Sequence, residues 1–96
     1  LILDLQTSTL LKNGRKLTLT PIEKKLLVLL IKNTNNTLSR SFIISHLWGY
    51  TPSRFVDNRV VDVYIARLRT KLENTPSKPE FITTVRGQGY TFKPFT

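Results

Sequence analysis

The sequence predicts an α+β fold, and three observations carry the prediction. Near the start, an Asn13-Gly14 pair separates two stretches rich in β-formers. In the middle, three segments space their apolar residues as helices do. Near the end, two short β-rich runs are joined by Gly87-Gln88-Gly89. Strands, then three helices, then a hairpin within 96 residues amount to one small domain.

Each element has a local reason. Leu1, Ile2 and Leu3 start a first strand, and Gln6 to Leu11 reads as a second. Asn and Gly both tolerate positive φ, so Asn13-Gly14 favours a tight hairpin. The returning strand is Arg15 to Leu19, where Leu17 and Leu19 alternate with Lys16 and Thr18 and bury one face. Thr20-Pro21-Ile22-Glu23 is a helix start: Thr20 caps, Pro21 takes the first helical position and Glu23 completes a capping box. That helix runs to about Lys32. Its apolar residues Ile22, Leu26, Leu27, Leu29, Leu30 and Ile31 cover so much of the surface that it belongs in the middle of the domain.

Asn33 to Asn36 breaks the chain. Ser39 caps a second helix from Arg40 to about Trp48, with Phe42, Ile43 and Leu47 as its buried side and Gly49 ending it. Residues 49 to 56 form a loop containing Pro52. Asp57 or Asn58 caps a third helix, which reaches about Glu73. Asn74 to Pro79 is a turn, followed by strands Phe81 to Val85 and Tyr90 to Lys93. Short connections between helices and a terminal hairpin with Arg86 at its tip predict a winged helix-turn-helix. It comprises an N-terminal antiparallel sheet, three helices and a C-terminal β-hairpin wing, spanning residues 1–96.

Charge narrows the function. Fifteen Lys and Arg against six Asp and Glu give a formal charge of +9, a field that attracts polyanions. With no Cys, disulfides and thiolate metal sites are excluded. His46 is the only histidine, on a partly exposed helix face, and a metal site is not expected; no cofactor is expected either. Ser39, Ser41 and Ser45 lack base and acid partners, so the sequence offers no nucleophile and no enzyme is expected. The longest apolar run, Leu26 to Ile31, is far short of a membrane span. No signal-peptide pattern opens the chain, which begins at Leu and contains no Met; this suggests a domain of a longer protein.

The third helix carries the strongest signal. At about 100° per residue, Val61, Ile65, Leu68 and Leu72 fall in one stripe and form a core face. The opposite face holds Arg59, Val63, Ala66, Arg67 and Thr70, with Val60 at its edge. That face suits a DNA major groove: Arg offers a planar fork to guanine O6 and N7, and small Val63 and Ala66 permit close approach. Val60 and Val63 can also meet thymine methyls. Asp57 and Asp62 are read as capping residues, favourable to the helix dipole and paired with a nearby Arg. Trp48 is read as a core anchor. At the wing tip, Arg86 suits a narrow minor groove, whose negative potential is enhanced. Gly87-Gln88-Gly89 lacks the later glycine and following helix of a nucleotide loop. A protein-interaction module and a basic RNA- or membrane-binding domain are the alternatives. The basic helix face and wing tip favour DNA, and no stripe of stacking aromatics points to RNA.

Four motifs resemble the OmpR/PhoB family of response-regulator effector domains. They are Leu19-Thr20-Pro21-Ile22-Glu23 with Leu26-Leu27; Leu38-Ser39-Arg40 with Leu47-Trp48-Gly49; Val61 to Ile65 with Arg67 to Leu72; and Ile82 to Tyr90. The resemblance covers nearly the whole chain in order. It implies sequence-specific promoter DNA binding as the output domain of a two-component response regulator in the bacterial cytoplasm. It implies a phosphorylated receiver domain that this chain does not include, and binding to direct repeats of double-stranded DNA by a domain monomeric off DNA. It also implies that RNA polymerase meets residues 49–56. The DNA contacts it implies are Arg59, Val60, Val63, Arg67 and Arg69 on the helix, and Thr84, Arg86 and Tyr90 in the wing. Ala66 stands where many members carry a basic or polar side chain, and Val60 where Thr is frequent.

Overall fold

The structure, a computed structural model, describes residues 2–49 and 58–94. Strands β1 (Ile2–Asp4), β2 (Thr9–Lys12) and β3 (Arg15–Thr18) form an antiparallel sheet in that order. Asn13 and Gly14 both have positive φ, 50° and 77°, which makes the β2–β3 turn as tight as the sequence predicts. β2 starts later than expected. Asp4 Oδ1 accepts hydrogen bonds from the amides of Gln6 and Thr7, and Ser8 is left-handed at φ 54°, so residues 6–8 turn instead of extending.

Helix α1 (Pro21–Lys32) has the full capping box: Thr20 Oγ1 accepts from the Glu23 amide, and Glu23 Oε1 accepts from the Thr20 amide. Helix α2 (Arg40–Trp48) starts at Ser39, whose Oγ accepts from the Phe42 amide, and ends at left-handed Gly49. Its buried face corrects the expectation. Ile43, Ile44 and Leu47 are buried, whereas Phe42 is 37% exposed. Phe42, Ile43 and Ile44 together sweep about 200° of the helix, and only part of that arc faces α1 and the next helix. Helix α3 (Arg59–Leu72) follows Asn58, which makes no side-chain cap and is itself helical at φ −61° and ψ −13°. Asp57 and nearly all of the 49–56 loop, including Pro52, lie outside the described residues.

A second sheet was not fully anticipated. A two-residue strand, β4 (Thr37–Leu38), pairs antiparallel with β6 (Gly89–Phe92), which pairs with β5 (Ile82–Val85). Two residues are too few to show a period, so β4 could not be read from sequence. Its pairing sets the wing's position: a Cβ at Gly89 would lie 1.9 Å from the Leu38 carbonyl oxygen, so only glycine permits the approach.

The core is one cluster. Val61, Ile65, Leu68 and Leu72, the predicted stripe of α3, are all buried with Leu26, Leu27 and Leu30 of α1 and with the buried side of α2. Two buried carboxylates fix its margins. Glu23 meets Lys71 Nζ at 2.6 Å, and that ammonium also donates to the Thr18 carbonyl, so α1, β3 and α3 are joined. Glu73, just past α3, accepts from the amides of Glu80, Phe81 and Ile82. It thereby holds the 74–79 turn and the start of β5 against the helix end.

Candidate nucleic-acid interface

Because the core stripe fixes the rotation of α3, the opposite face is turned outward. Arg59, Val63, Ala66, Arg67 and Thr70 are all exposed, Val63 to 47%. Val60, expected at the edge of this face, is half-buried and packs against the core. The Arg67 guanidinium lies 5.3 Å from the Tyr64 ring centroid, and Tyr64 packs on Trp48 at 5.6 Å. This contact restrains the arginine stem on the outer face. Thr70 donates its hydroxyl to the Ala66 carbonyl at 3.0 Å.

Besides the Lys71 tie to α1 and β3, polar side chains join α3 to α2, β5 and β6. Asp62 Oδ1 accepts from Arg40 Nε of α2 at 2.7 Å and from the Tyr90 hydroxyl of β6. This is the arginine pairing that the sequence suggested for Asp62, although it could not name the partner. Burial, and then the hydrogen bond to Asp62, raise the Tyr90 pKa, so the phenol stays protonated as the donor. The hydrogen bond to Asp62 likewise raises that of Arg40.

Arg69 is the second tie. Its Nε and Nη2 donate to the Ile82 carbonyl at 3.1 and 2.8 Å, and Nη2 also reaches Thr84 Oγ1 at 2.9 Å. Arg40 and Arg69 both lie about 5.5 Å from the Tyr90 ring centroid.

These ties sort the expected contact residues. Arg59, Val63 and Arg67 share the outer face of α3, and Thr84 and Arg86 are exposed on the hairpin. Tyr90 is placed differently: it is 4% exposed and its hydroxyl is engaged by Asp62. Arg69 is half-buried with its guanidinium committed to β5. Arg40 is the member of this arrangement that residue-level reading missed. It lies 22 positions from Asp62, and Arg59 and Arg69 are nearer in sequence.

The wing tip is a turn closed by the Gln88 amide on the Val85 carbonyl, with Gly87 at φ 75°. His46 Nδ1 lies 3.1 Å from the Phe42 carbonyl oxygen, and its ring stacks on Phe42 at 4.1 Å. Among the described residues there is no cluster of three metal-ligating side chains, and no helix is long and apolar enough to cross a membrane.

Among the described residues, two sheets, three helices and a basic hairpin against an outward-facing helix define a winged helix-turn-helix. Residues 14–92 match the family described as "Transcriptional regulatory protein, C terminal", and the chain belongs to that family, which consists of regulators and not of enzymes. It is 50% identical over 91 residues to the probable transcriptional regulator ycf27 of Galdieria sulphuraria, covering 95% of this chain and 36% of the relative. The chain thus spans little more than a third of that relative's length.

Among solved structures, it resembles the DNA-binding domain of Klebsiella pneumoniae RstA in complex with the RstA box, with TM-score 0.83 and 31% identity. That match covers 97% of this chain and 90% of that one. It also resembles the response regulator DrrB of Thermotoga maritima, an OmpR/PhoB homologue, with TM-score 0.73 and 31% identity over 83% of this chain and 35% of that one. The resemblance to the OmpR/PhoB effector domains read from the motifs is therefore borne out, as is the α+β winged-helix fold.

Proposed function

We propose that this domain binds double-stranded promoter DNA by laying the outer face of α3 in the major groove and the β5–β6 hairpin on the minor groove or backbone. The observation that carries this reading is the exposure of Val63 and Ala66 beside Arg59 and Arg67, on a helix whose other side is locked in the core. Small apolar side chains between arginines give close approach, methyl contacts and guanine recognition together. Arg59, Val63, Arg67, Thr84 and Arg86 are the contact residues; Val60 approaches the groove from the edge of the face. Tyr90 and Arg69 act chiefly as positioning residues, since each is engaged by a neighbouring element.

In the full-length protein the domain is the output of a response regulator, governed by its own receiver domain and working in the bacterial cytoplasm. It is monomeric off DNA and pairs on direct repeats, with residues 49–56 meeting RNA polymerase. Sedimentation with and without a duplex carrying two sites checks the monomer; a tight dimer without DNA contradicts it.

The experiment that tests the binding mode is affinity for a selected duplex as a function of salt. Each neutralised phosphate contributes about −0.9 to the slope of log K against log salt. A clearly negative slope spanning several phosphates is expected. A slope near zero contradicts the proposal.

A further inference from the structure

A second surface that combines apolar and cationic side chains is a groove between α1 and α2. It is an open cleft of about 950 Å³ that contains no residue of α3 or the hairpin. Val28 and Leu29, both half-buried, and Phe42, 37% exposed, contribute apolar side chains together with Pro21 and Leu47. Lys24, Lys25 and Lys32 supply its charge, and none of the lining residues is acidic. Phe42 is the residue that the helical pattern placed in the core; its ring remains at the surface, stacked on His46.

We infer that this groove is a docking site for an acidic amphipathic helix of a partner protein, because apolar Val28, Leu29 and Phe42 are set among Lys24, Lys25 and Lys32 with no carboxylate. An apolar stripe would cover the aromatic and aliphatic groups, while flanking carboxylates met the ammonium groups. A nucleic-acid backbone matches only half of this surface, since phosphates gain nothing from a half-buried Val, Leu and Phe. An extended strand is disfavoured as well, because the groove has helices on both sides and no strand edge to extend. Helix α1 is 12 residues long, so the groove accommodates about three turns of a guest helix. The groove shares no residue with the proposed DNA contacts, so both partners can be held at once.

The test uses the chain labelled with ¹⁵N and a synthetic peptide of about 14 residues, with leucines at i, i+3, i+4 and i+7 and glutamates on the flanks. A peptide of the same composition in scrambled order, and a DNA duplex, serve as the other probes. The expected result is saturable binding of the patterned peptide, with amide shifts concentrated at Val28, Leu29, Phe42 and Leu47. Lys24→Glu/Lys32→Glu should weaken it about tenfold by reversing two charges, and Phe42→Ala severalfold, while DNA affinity of Phe42→Ala stays unchanged. Lys32 is exposed, Lys24 half-buried and Phe42 37% exposed, so both variants should remain folded, with melting curves as the control, and either variant alone suffices if the other fails to fold. Equal binding of the scrambled peptide, shifts on α3 and the hairpin, or no saturation at millimolar peptide would overturn the proposal. A loss of DNA affinity in Phe42→Ala would instead make the groove part of the DNA surface.

Discussion

Along α3, one run of 14 residues faces two environments. Val61, Ile65, Leu68 and Leu72 are sealed against α1 and α2; Val63, Ala66 and Arg67, interleaved with them, face outward. Val63 and Ile65 are two positions apart and chemically alike, yet one is 47% exposed and the other fully buried. Hydrophobicity therefore does not decide their roles; the angle around the helix does. An exposed valine contributes little to folding, and its place beside two arginines is what the proposed DNA contact uses.

The largest expected effect breaks the inner face. Ile65→Ala should lower unfolding free energy by about 2–5 kcal/mol, the range for a buried aliphatic truncated to Ala. Val63→Ala should change it by less than about 0.5 kcal/mol and instead reduce DNA affinity. Urea unfolding of both variants checks the pair, and equal losses of stability contradict the two-face assignment.

Tyr90→Phe sharpens the boundary between the faces. It removes one of the bonds to Asp62 and should cost about 1 kcal/mol of stability, leaving Arg40 in place. Thermal melting together with DNA titration decides the role. Unchanged melting with weakened DNA binding would move the phenol from positioning to contact.

A smaller effect comes from pH. Burial raises the Glu23 pKa, but the hydrogen bond and charge of Lys71 and the Thr20 amide outweigh it, leaving the pKa below its ordinary 4.5. A depressed folded pKa means that the stabilisation is fully present above about pH 4.5 and is lost as pH falls through the folded value. Asp4 titrates in the same direction, its pKa lowered chiefly by the Thr7 amide. The measurement is thus the difference in melting between the parent and Glu23→Gln from about pH 6 to about pH 3. The gap should narrow on acidification; a constant gap contradicts the linkage.

The two buried glutamates show what a sequence can reveal. Glu23 was legible because its partner is local: Thr20 lies three residues away, and the capping box is a pattern with a fixed spacing. Glu73 is equally buried but takes its bonds from the amides of residues 80–82, across a turn whose path no local pattern fixes. The same difference separates the parts of the candidate interface. The outer face of α3 follows from a period of 3.6 residues, so Arg59, Val63 and Arg67 could be placed together from sequence alone. The Arg40–Asp62–Tyr90 arrangement joins residues 22 and 28 positions apart; Tyr90 is placed by its pairing with β4, too short to announce itself, and Arg69 by partners on β5, 13 and 15 positions away. Phe42 was misplaced for a related reason: three apolar residues in a row offer several buried faces, and only tertiary packing selects one.

In the proposed binding mode the outer face of α3 reads base sequence while the wing tip reads shape and charge. Binding of Arg67→Ala and Arg86→Ala to a selected duplex and to a scrambled one, with melting curves as controls, tests it most directly. Arg67→Ala should cost about 1–3 kcal/mol on the selected site and less on the scrambled one, so that the specificity ratio falls. Arg86→Ala should weaken both more evenly, because groove width and phosphate charge vary less with sequence than base edges do. Neither change should move the melting temperature, since both side chains are exposed. If Arg67→Ala lowers both affinities alike while Arg86→Ala abolishes the preference, the roles of helix and wing are reversed and the claim is contradicted.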